Sequence, residues 1–280
     1  MKKALLTGST GGIGSEVAAL LARDGWDLVL LNRNKEQAAL QAQALQSSFP
    51  NQKFDRFTIN LMDIENIREV SDNIVAAHPQ INALYNIAGL LTDERIMSKQ
   101  NLEGHFAINT VAPYMLIKML MSQLKAGATT NQPAIIVNFS SEVVNKVKTL
   151  DVTKLPTPEI IGGLMGAYAK TKLAVNIMDC SMKNALLQDH IYIYSIDPGA
   201  TKTPMTSGNK GMPFVVRLIA PILFNSADKQ AKKLVNAIGE AVTSKRSGLF
   251  ISNGKVKDQP PLAENSNLQK ELCELLEQYL

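Results

Sequence analysis

With 280 residues and a mass of 30.5 kDa, the chain is long enough to bury a large core and short enough to form one α/β domain. Hydrophobic residues make up 45% and charged residues 19%, which excludes a mainly disordered or collagen-like chain. The net charge of +4, from 29 basic and 25 acidic residues without long runs of one sign, is too mild to point to nucleic acid and serves solubility.

Ala4 to Leu6 reads as a short apolar strand, and the glycines after it lead into a helical pattern from Ile13 to Asp24 that Gly25 can end. Asp27 to Asn32 (DLVLLN) reads as a second, buried strand and Lys35 to Ser48 as an Ala/Gln/Leu-rich helix. The alternation continues with a strand at Phe54 to Leu61, a helix at Ile64 to His78, a strand at Ile81 to Ile87 and a helix at Gly104 to Leu124. It runs on through a strand at Ala134 to Phe139, a helix at Gly166 to Leu187, a strand at Ile191 to Ile196, a helix at Ser226 to Val242 and a strand at Leu249 to Ser252. Apolar strands alternating with helices imply parallel pairing and right-handed crossovers. The expectation is one α/β domain over residues 1–280: a doubly wound parallel sheet of about seven strands, with helices on both faces. Glu142 to Leu164 and Pro204 to Asn225 stand outside the alternation, and long connections in a compact domain are usually functional. The second carries the apolar run Phe214 to Leu223, which suits a lid over a substrate at about 204–225; a packing helix or a contact face is the alternative. Residues from about 253 to 280 read as a C-terminal tail.

Cys180 and Cys273 have neither CxxC spacing nor a framework, which fits a reducing compartment. The apolar run after Met1-Lys2-Lys3 meets Thr7-Gly8-Ser9-Thr10 before it reaches signal-peptide length, and no stretch approaches ~18 apolar residues. A cytoplasmic location without a stable membrane anchor is expected.

Thr7-Gly8-Ser9-Thr10-Gly11-Gly12-Ile13-Gly14 joins the first strand to the first helix, where free backbone N–H groups and the positive end of the helix dipole face an anion such as a diphosphate. Gly8 would make the tight turn, Gly12 would let the backbone approach the phosphates, and Gly14 would allow close packing of helix on strand. The second strand ends at Asn32-Arg33-Asn34, where an NAD site would carry an acid for the ribose 2′-hydroxyl. Arg33 can instead pair with a 2′-phosphate, so NADP(H) is expected over NAD(H). A solvated arginine at a strand end is the bland alternative.

Tyr168-Ala169-Lys170-Thr171-Lys172 opens a helix, which puts Tyr168 and Lys172 one turn apart on one face. A nearby ammonium stabilises a phenolate and lowers the phenol pKa from ~10, which makes a tyrosine usable in acid-base chemistry. Further polar residues end other strands: Asn86-Ile87-Ala88-Gly89 the fourth, Ser140-Ser141 the fifth, and Asp197-Pro198-Gly199-Ala200-Thr201-Lys202-Thr203 the sixth, with Asn109 mid-helix. Strand C-termini are where such sheets bind ligands.

In this order the motifs resemble those of the short-chain dehydrogenase/reductase family, from Lys3 to about Ser252, which implies a Rossmann fold. TGSTGGIG is similar to that family's TGxxxGxG loop, NIAG to NNAG with Ile87 for the second Asn, and Asn60-Leu61 to an Asp-Leu pair near adenine with Asn for Asp. Asn109, Ser141, Tyr168 and Lys172 resemble its catalytic tetrad, and Thr203 the threonine that holds the nicotinamide carboxamide. The resemblance implies cofactor contacts from Gly8, Ser9, Thr10, Gly12, Ile13, Gly14, Asn32, Arg33, Asn60, Leu61, Asn86, Ala88, Gly89, Tyr168, Lys172, Pro198, Gly199, Thr201 and Thr203. It also implies hydride transfer between nicotinamide C4 and a carbonyl or alcohol carbon. Tyr168 would be the general acid or base, Ser141 would bind the carbonyl oxygen, and Lys172 would hold the nicotinamide ribose and lower the Tyr168 pKa. Asn109 would hold a relay water. The long insertion before Tyr168 and the stretch FVVRLIAPILFNSADKQAKKL resemble the retinol-dehydrogenase-like branch, which acts on lipophilic alcohols and carbonyls. A homodimer or homotetramer is the assembly the family implies.

A non-catalytic dinucleotide-binding sensor on the same fold remains the alternative. A sugar-nucleotide epimerase or dehydratase would carry GxxGxxG and a larger C-terminal domain, and neither is present. His78, His105 and His190 lack metal spacing and are expected to be surface or packing residues, with no metal in catalysis.

Overall fold

The computed structural model describes residues 2–201 and 224–280. The expected lid therefore lies outside the described residues except for its last two positions, and Thr203 lies outside them as well.

β1 (Lys3–Thr7), β2 (Asp27–Asn32), β3 (Phe54–Thr58), β4 (Ala83–Asn86), β5 (Ala134–Phe139), β6 (Ile191–Asp197), β7 (Leu249–Ser252) and β8 (Lys255–Lys257) form one sheet in the order β3-β2-β1-β4-β5-β6-β7-β8. The first seven strands pair in parallel and β8 turns back antiparallel on β7. This is the expected doubly wound Rossmann topology with one strand more, a three-residue edge hairpin too short to show a period in the sequence. The order reverses between β1 and β4, so the crevice at a topological switch point opens beyond Thr7 and Asn86, which are in register.

Successive residues of one strand point to opposite faces, and the core divides accordingly. Leu5, Val29, Leu31 and Leu84 pack with α3 (Ile64–Ala77), α5 (Ala112–Met119) and α7 (Ala167–Gln188), whereas Ala4, Leu6, Leu28, Leu30 and Tyr85 pack with α1 (Gly12–Arg23) and α8 (Ala227–Thr243). α2 (Lys35–Ser48) lies beside β2 and β3. β3 ends at Thr58 rather than Leu61, because Asp63 donates to the Asn60 carbonyl and turns the chain into α3.

The long helix expected from Gly104 to Leu124 is broken into α4 (Gly104–Phe106), a π-helical turn (Ala107–Val111), α5 and α6 (Met121–Gly127). Pro113 has no N–H for the carbonyl of Asn109 four residues back, and a wide turn accommodates that loss. The stretch read as a tail is built into the domain. After β8 come a 3₁₀ turn (Pro261–Glu264) and α9 (Ser266–Glu277), whose Leu272 and Leu276 are fully buried against the α7 layer. Glu277 accepts from Tyr114 at 2.5 Å and Lys118 at 2.7 Å. Among the described residues no helix is long and apolar enough to cross a membrane.

Candidate active site

The loop after β1 is shaped by close approach. Gly8 has φ +68°, and a Cβ there would stand 3.0 Å from the backbone of Ala88; one on Gly14 would stand 2.2 Å from the Gly8 carbonyl oxygen. Only glycine fits either place. α1 begins with Gly11 as its cap, receives no side-chain capping bond and has no acid in its first turn. With no such cap and no acid in that turn among the described residues, its N–H groups and dipole end make a cradle that fits a dinucleotide diphosphate.

Asn32 is buried, and its side chain is spent on the loop: it donates to the Ser9 hydroxyl at 2.8 Å and accepts from Thr10 N at 3.2 Å and the Thr10 hydroxyl at 3.3 Å. Ser9 in turn donates to Gln41 Oε1 at 2.8 Å, and Gln41 Nε2 returns a bond to the Ser9 carbonyl. Asn32 therefore shapes the cradle from behind, a role its place at the strand end did not announce. Arg33 is exposed and has no hydrogen-bond or ion-pair partner among the described residues, so its guanidinium is available to a phosphate. Asn60 is exposed and accepts from Met62 N at 3.2 Å in a local turn, and its neighbour Leu61 is half-buried.

At the next strand end, Thr7 accepts from Ile87 N at 3.1 Å and Ala88 N at 3.2 Å, joining the two loops of the switch point. Asn86 donates to Asn138 at 2.7 Å, Asn138 donates to Asp179 at 2.6 Å, and Ser195 donates to the other oxygen of Asp179 at 2.6 Å, forming a buried polar row under the crevice. Burial pushes the Asp179 carboxyl up to about 7, against the two hydrogen bonds that hold it down.

Asn109, on the π-helical turn, accepts from Leu90 N at 2.8 Å and donates to Leu90 O at 3.0 Å and Thr171 Oγ1 at 3.2 Å. A Cβ on Gly89 would meet Asn109 Oδ1 at 3.3 Å and Lys172 Nζ at 3.4 Å, so Gly89 sits between these two residues. Lys172 is buried and donates to the Phe139 carbonyl at 2.6 Å, with its ammonium 5.9 Å from the Tyr168 ring centroid. Burial pulls it down to about 7. Tyr168 is half-buried, and its hydroxyl is pushed up to about 12: burial raises it, a hydrogen bond from Ser141 lowers it, and the Asp197 charge raises it. The expected lowering of Tyr168 by Lys172 is thus absent in this arrangement, because the ammonium faces a carbonyl rather than the hydroxyl. Gly166 sets the start of α7, since a Cβ there would lie 2.3 Å from Gly162 O and 2.4 Å from Ile161 O.

Past β6, Asp197 accepts from Ser252 at 2.8 Å and from the backbone of Gly199 and Glu142. Gly199 has φ +78°, Pro198 is half-buried, and Thr201 is buried and pairs with Asn225 across the ends of the undescribed segment. The structure thus brings Asn109, Ser141, Tyr168 and Lys172 to the ends of β4 and β5, with the glycine loop and Arg33 at the β1–β2 side.

Sequence reasoning missed Gln41, Glu103 and Asp179. Of the histidines expected at the surface or in packing, His105 is fully buried beside Tyr168, with ring centroids 6.4 Å apart. His78 is buried against Lys3 at 2.9 Å, and His190 is exposed. Among the described residues no group of three His, Cys, Asp or Glu could hold a metal ion.

The sequence profile described as short chain dehydrogenase matches residues 2–153. The chain is similar to retinol dehydrogenase 13 of Homo sapiens at 24% identity over 276 residues, covering 97% of this chain and 82% of that protein. Among solved structures, its fold is similar to Pseudomonas aeruginosa RhlG in an NADP active-site complex, with TM-score 0.70 and 20% identity over 90% of this chain and 94% of that one. It is also similar to 3-ketoacyl-(acyl-carrier-protein) reductase from Brucella melitensis complexed with NADH, with TM-score 0.67 and 18% identity over 90% of this chain and 96% of that one. A profile match over more than half of the chain, on a sheet of this order, places the protein in the short chain dehydrogenase/reductase family of NAD(P)-dependent oxidoreductases.

Proposed function

We propose that the protein is an NADP(H)-dependent carbonyl reductase or alcohol dehydrogenase for a small lipophilic substrate, with Tyr168 as its acid-base group. The carrying observation is Tyr168, with Ser141 as the hydrogen-bond partner that lowers its hydroxyl pKa and the buried Lys172 ammonium 5.9 Å from its ring centroid. The glycine cradle with Pro198, Gly199 and Thr201 would hold the dinucleotide, Arg33 would engage a 2′-phosphate, and Lys172 would face the nicotinamide ribose. The cofactor supplies or accepts the hydride at nicotinamide C4.

In the reducing direction, two electrons arrive at the carbonyl carbon with the hydride, the C=O π pair moves to oxygen, and that oxygen takes the Tyr168 proton. Ser141 donates to the same oxygen, stabilising the charge that develops there. Lys172, near 7 by burial, would return a proton to the spent phenolate through a relay water, since its ammonium does not meet the hydroxyl. The Asn109 side chain is occupied by Leu90 and Thr171, so its main-chain carbonyl is the group left for a relay water.

The lipophilic substrate rests on the likeness to retinol dehydrogenase 13, and NADP(H) rests on the unpaired Arg33 with no acid beside it. Two free cysteines support a cytoplasmic setting, and a homodimer or homotetramer follows from the family alone. The test is turnover of carbonyls from short aldehydes to retinal with deuterated NADPH. Deuterium on the carbinol carbon is expected, and a panel that binds NADPH yet moves no deuterium favours the sensor reading instead.

A further inference from the structure

Glu103 and His105 stand just before the π-helical turn, and both side chains are 0% exposed. His105 Nδ1 lies 2.8 Å from Glu103 Oε1, and the other carboxylate oxygen accepts from His105 N at 2.9 Å and Phe106 N at 3.4 Å. On the far side of the ring, Thr92 N donates to His105 Nε2 at 3.2 Å. A nitrogen that accepts from a backbone amide carries no hydrogen, so the ring proton must sit on Nδ1 and point at the carboxylate. With both nitrogens engaged, His105 has no free site for a substrate proton and cannot be a general base.

The pair is coupled to Tyr168 by two routes. One is direct: the His105 and Tyr168 rings meet edge to face at 74°. The other runs through the chain. His105 and Asn109 are four residues apart on one helix face and grip alternate residues of the loop that follows β4, Thr92 and Leu90. Asp93, next after Thr92, accepts from Gly163 N at 2.7 Å, and Gly163 O accepts from Gly166 N two residues before Tyr168. Glu103 N also donates to Pro156 O at 2.8 Å, fastening the insertion that leads into α7.

Resting on the Tyr168 reading above, we propose that Glu103 and His105 are a buried positioning pair that fixes the 90–93 loop and the Tyr168 ring in the geometry needed for proton transfer. A packing residue would tolerate a ring of similar size, whereas a positioning residue needs its two hydrogen bonds. His105→Phe keeps the ring and loses both bonds. His105→Gln keeps an acceptor for Thr92 N–H and a donor for Glu103.

The experiment compares both variants, with Tyr168→Phe in parallel, for turnover of the best carbonyl of the panel at saturating NADPH and for NADPH binding by fluorescence. His105→Phe is expected to lose about tenfold or more in kcat with NADPH affinity within about twofold, since small displacements of reacting groups carry losses of this order. His105→Gln is expected to recover most of that loss. A Phe variant with wild-type kcat, or Phe and Gln variants equally impaired in turnover, NADPH binding and melting, would overturn the proposal. If Tyr168→Phe itself turns over normally, the underlying reading fails, which is a separate result. Should the Phe variant not fold, long-range proton–nitrogen NMR of the wild-type histidines decides. A ring proton on Nδ1 with Nε2 bare supports the pair. An imidazolium, or a proton on Nε2, overturns it.

Discussion

Lys172 and Tyr168, one helical turn apart on α7, do not meet head to head: the ammonium donates to the Phe139 carbonyl at 2.6 Å and lies 5.9 Å from the tyrosine ring centroid. Burial pulls Lys172 from an ordinary 10.5 down to about 7 in the folded chain. Between those values the unfolded chain binds more protons than the native one, so this group makes stability rise with pH across that window and withdraws it as pH falls towards 7. Lys172→Met should flatten that rise in urea unfolding at pH about 7 and about 9.5. Parallel wild-type and variant pH curves would refute the buried-amine description.

Asp179 has the opposite sign. Its carboxyl is raised from 3.8 to about 7, so between these values the native state holds a proton that the unfolded chain has lost, and stability from this group falls as pH rises. Asp179→Asn keeps an acceptor for Asn138, and the Ser195 hydroxyl can rotate to accept from the new amide. The stability of the variant relative to wild type should improve steadily from pH about 4 to 7. A constant difference over that range would count against a protonated Asp179.

Arg33 should set cofactor preference. Its exposure permits only a solvent-screened contact, so Arg33→Ala should weaken NADPH by about tenfold and NADH hardly at all, as measured by titration calorimetry. Equal losses for the two cofactors would sink the assignment. Asn32→Asp is the wrong tool for the same question, because it would disturb the Ser9 and Thr10 bonds and so the cradle itself.

Two glycines give a paired test of the cradle. A Cβ at Gly14 has the Gly8 carbonyl at 2.2 Å, whereas one at exposed Gly239, inside α8, meets nothing within 4 Å. Gly14→Ala should destabilise by about 1–3 kcal/mol or more and impair NADPH binding. Gly239→Ala should stabilise by about 0.5–1 kcal/mol through backbone entropy. Thermal melts with and without NADPH report both, and a Gly14→Ala protein that melts and binds like wild type would contradict the close packing.

The sheet was readable because strands such as DLVLLN are buried on both faces and the glycine loop follows the first of them directly. The placement of Tyr168 and Lys172 together was readable because they stand four residues apart on one helix, α7. What escaped depends on contacts between distant segments. Asn32 stands where a ribose ligand would stand, but its partners Ser9 and Thr10 come from another loop. Beside Tyr168, His105 is buried by residues that no local pattern joins to it, although Glu103 two residues before and Asn109 four after were available signals. Leu268, Leu272, Leu275 and Leu276 carry a helical stripe that marked α9, overlooked because the alternation had ended. The π-helical turn follows from Pro113, a residue that a periodicity count passes over.

The most direct measurement is turnover by Tyr168→Phe beside its NADPH affinity. Removing one hydroxyl leaves the cradle, Arg33 and Lys172 in place, so NADPH should bind within about twofold of wild type while carbonyl reduction falls by ~10²–10⁴. Turnover within about tenfold of wild type, with NADPH bound normally, would contradict Tyr168 as the acid-base group and with it the mechanism proposed for this site.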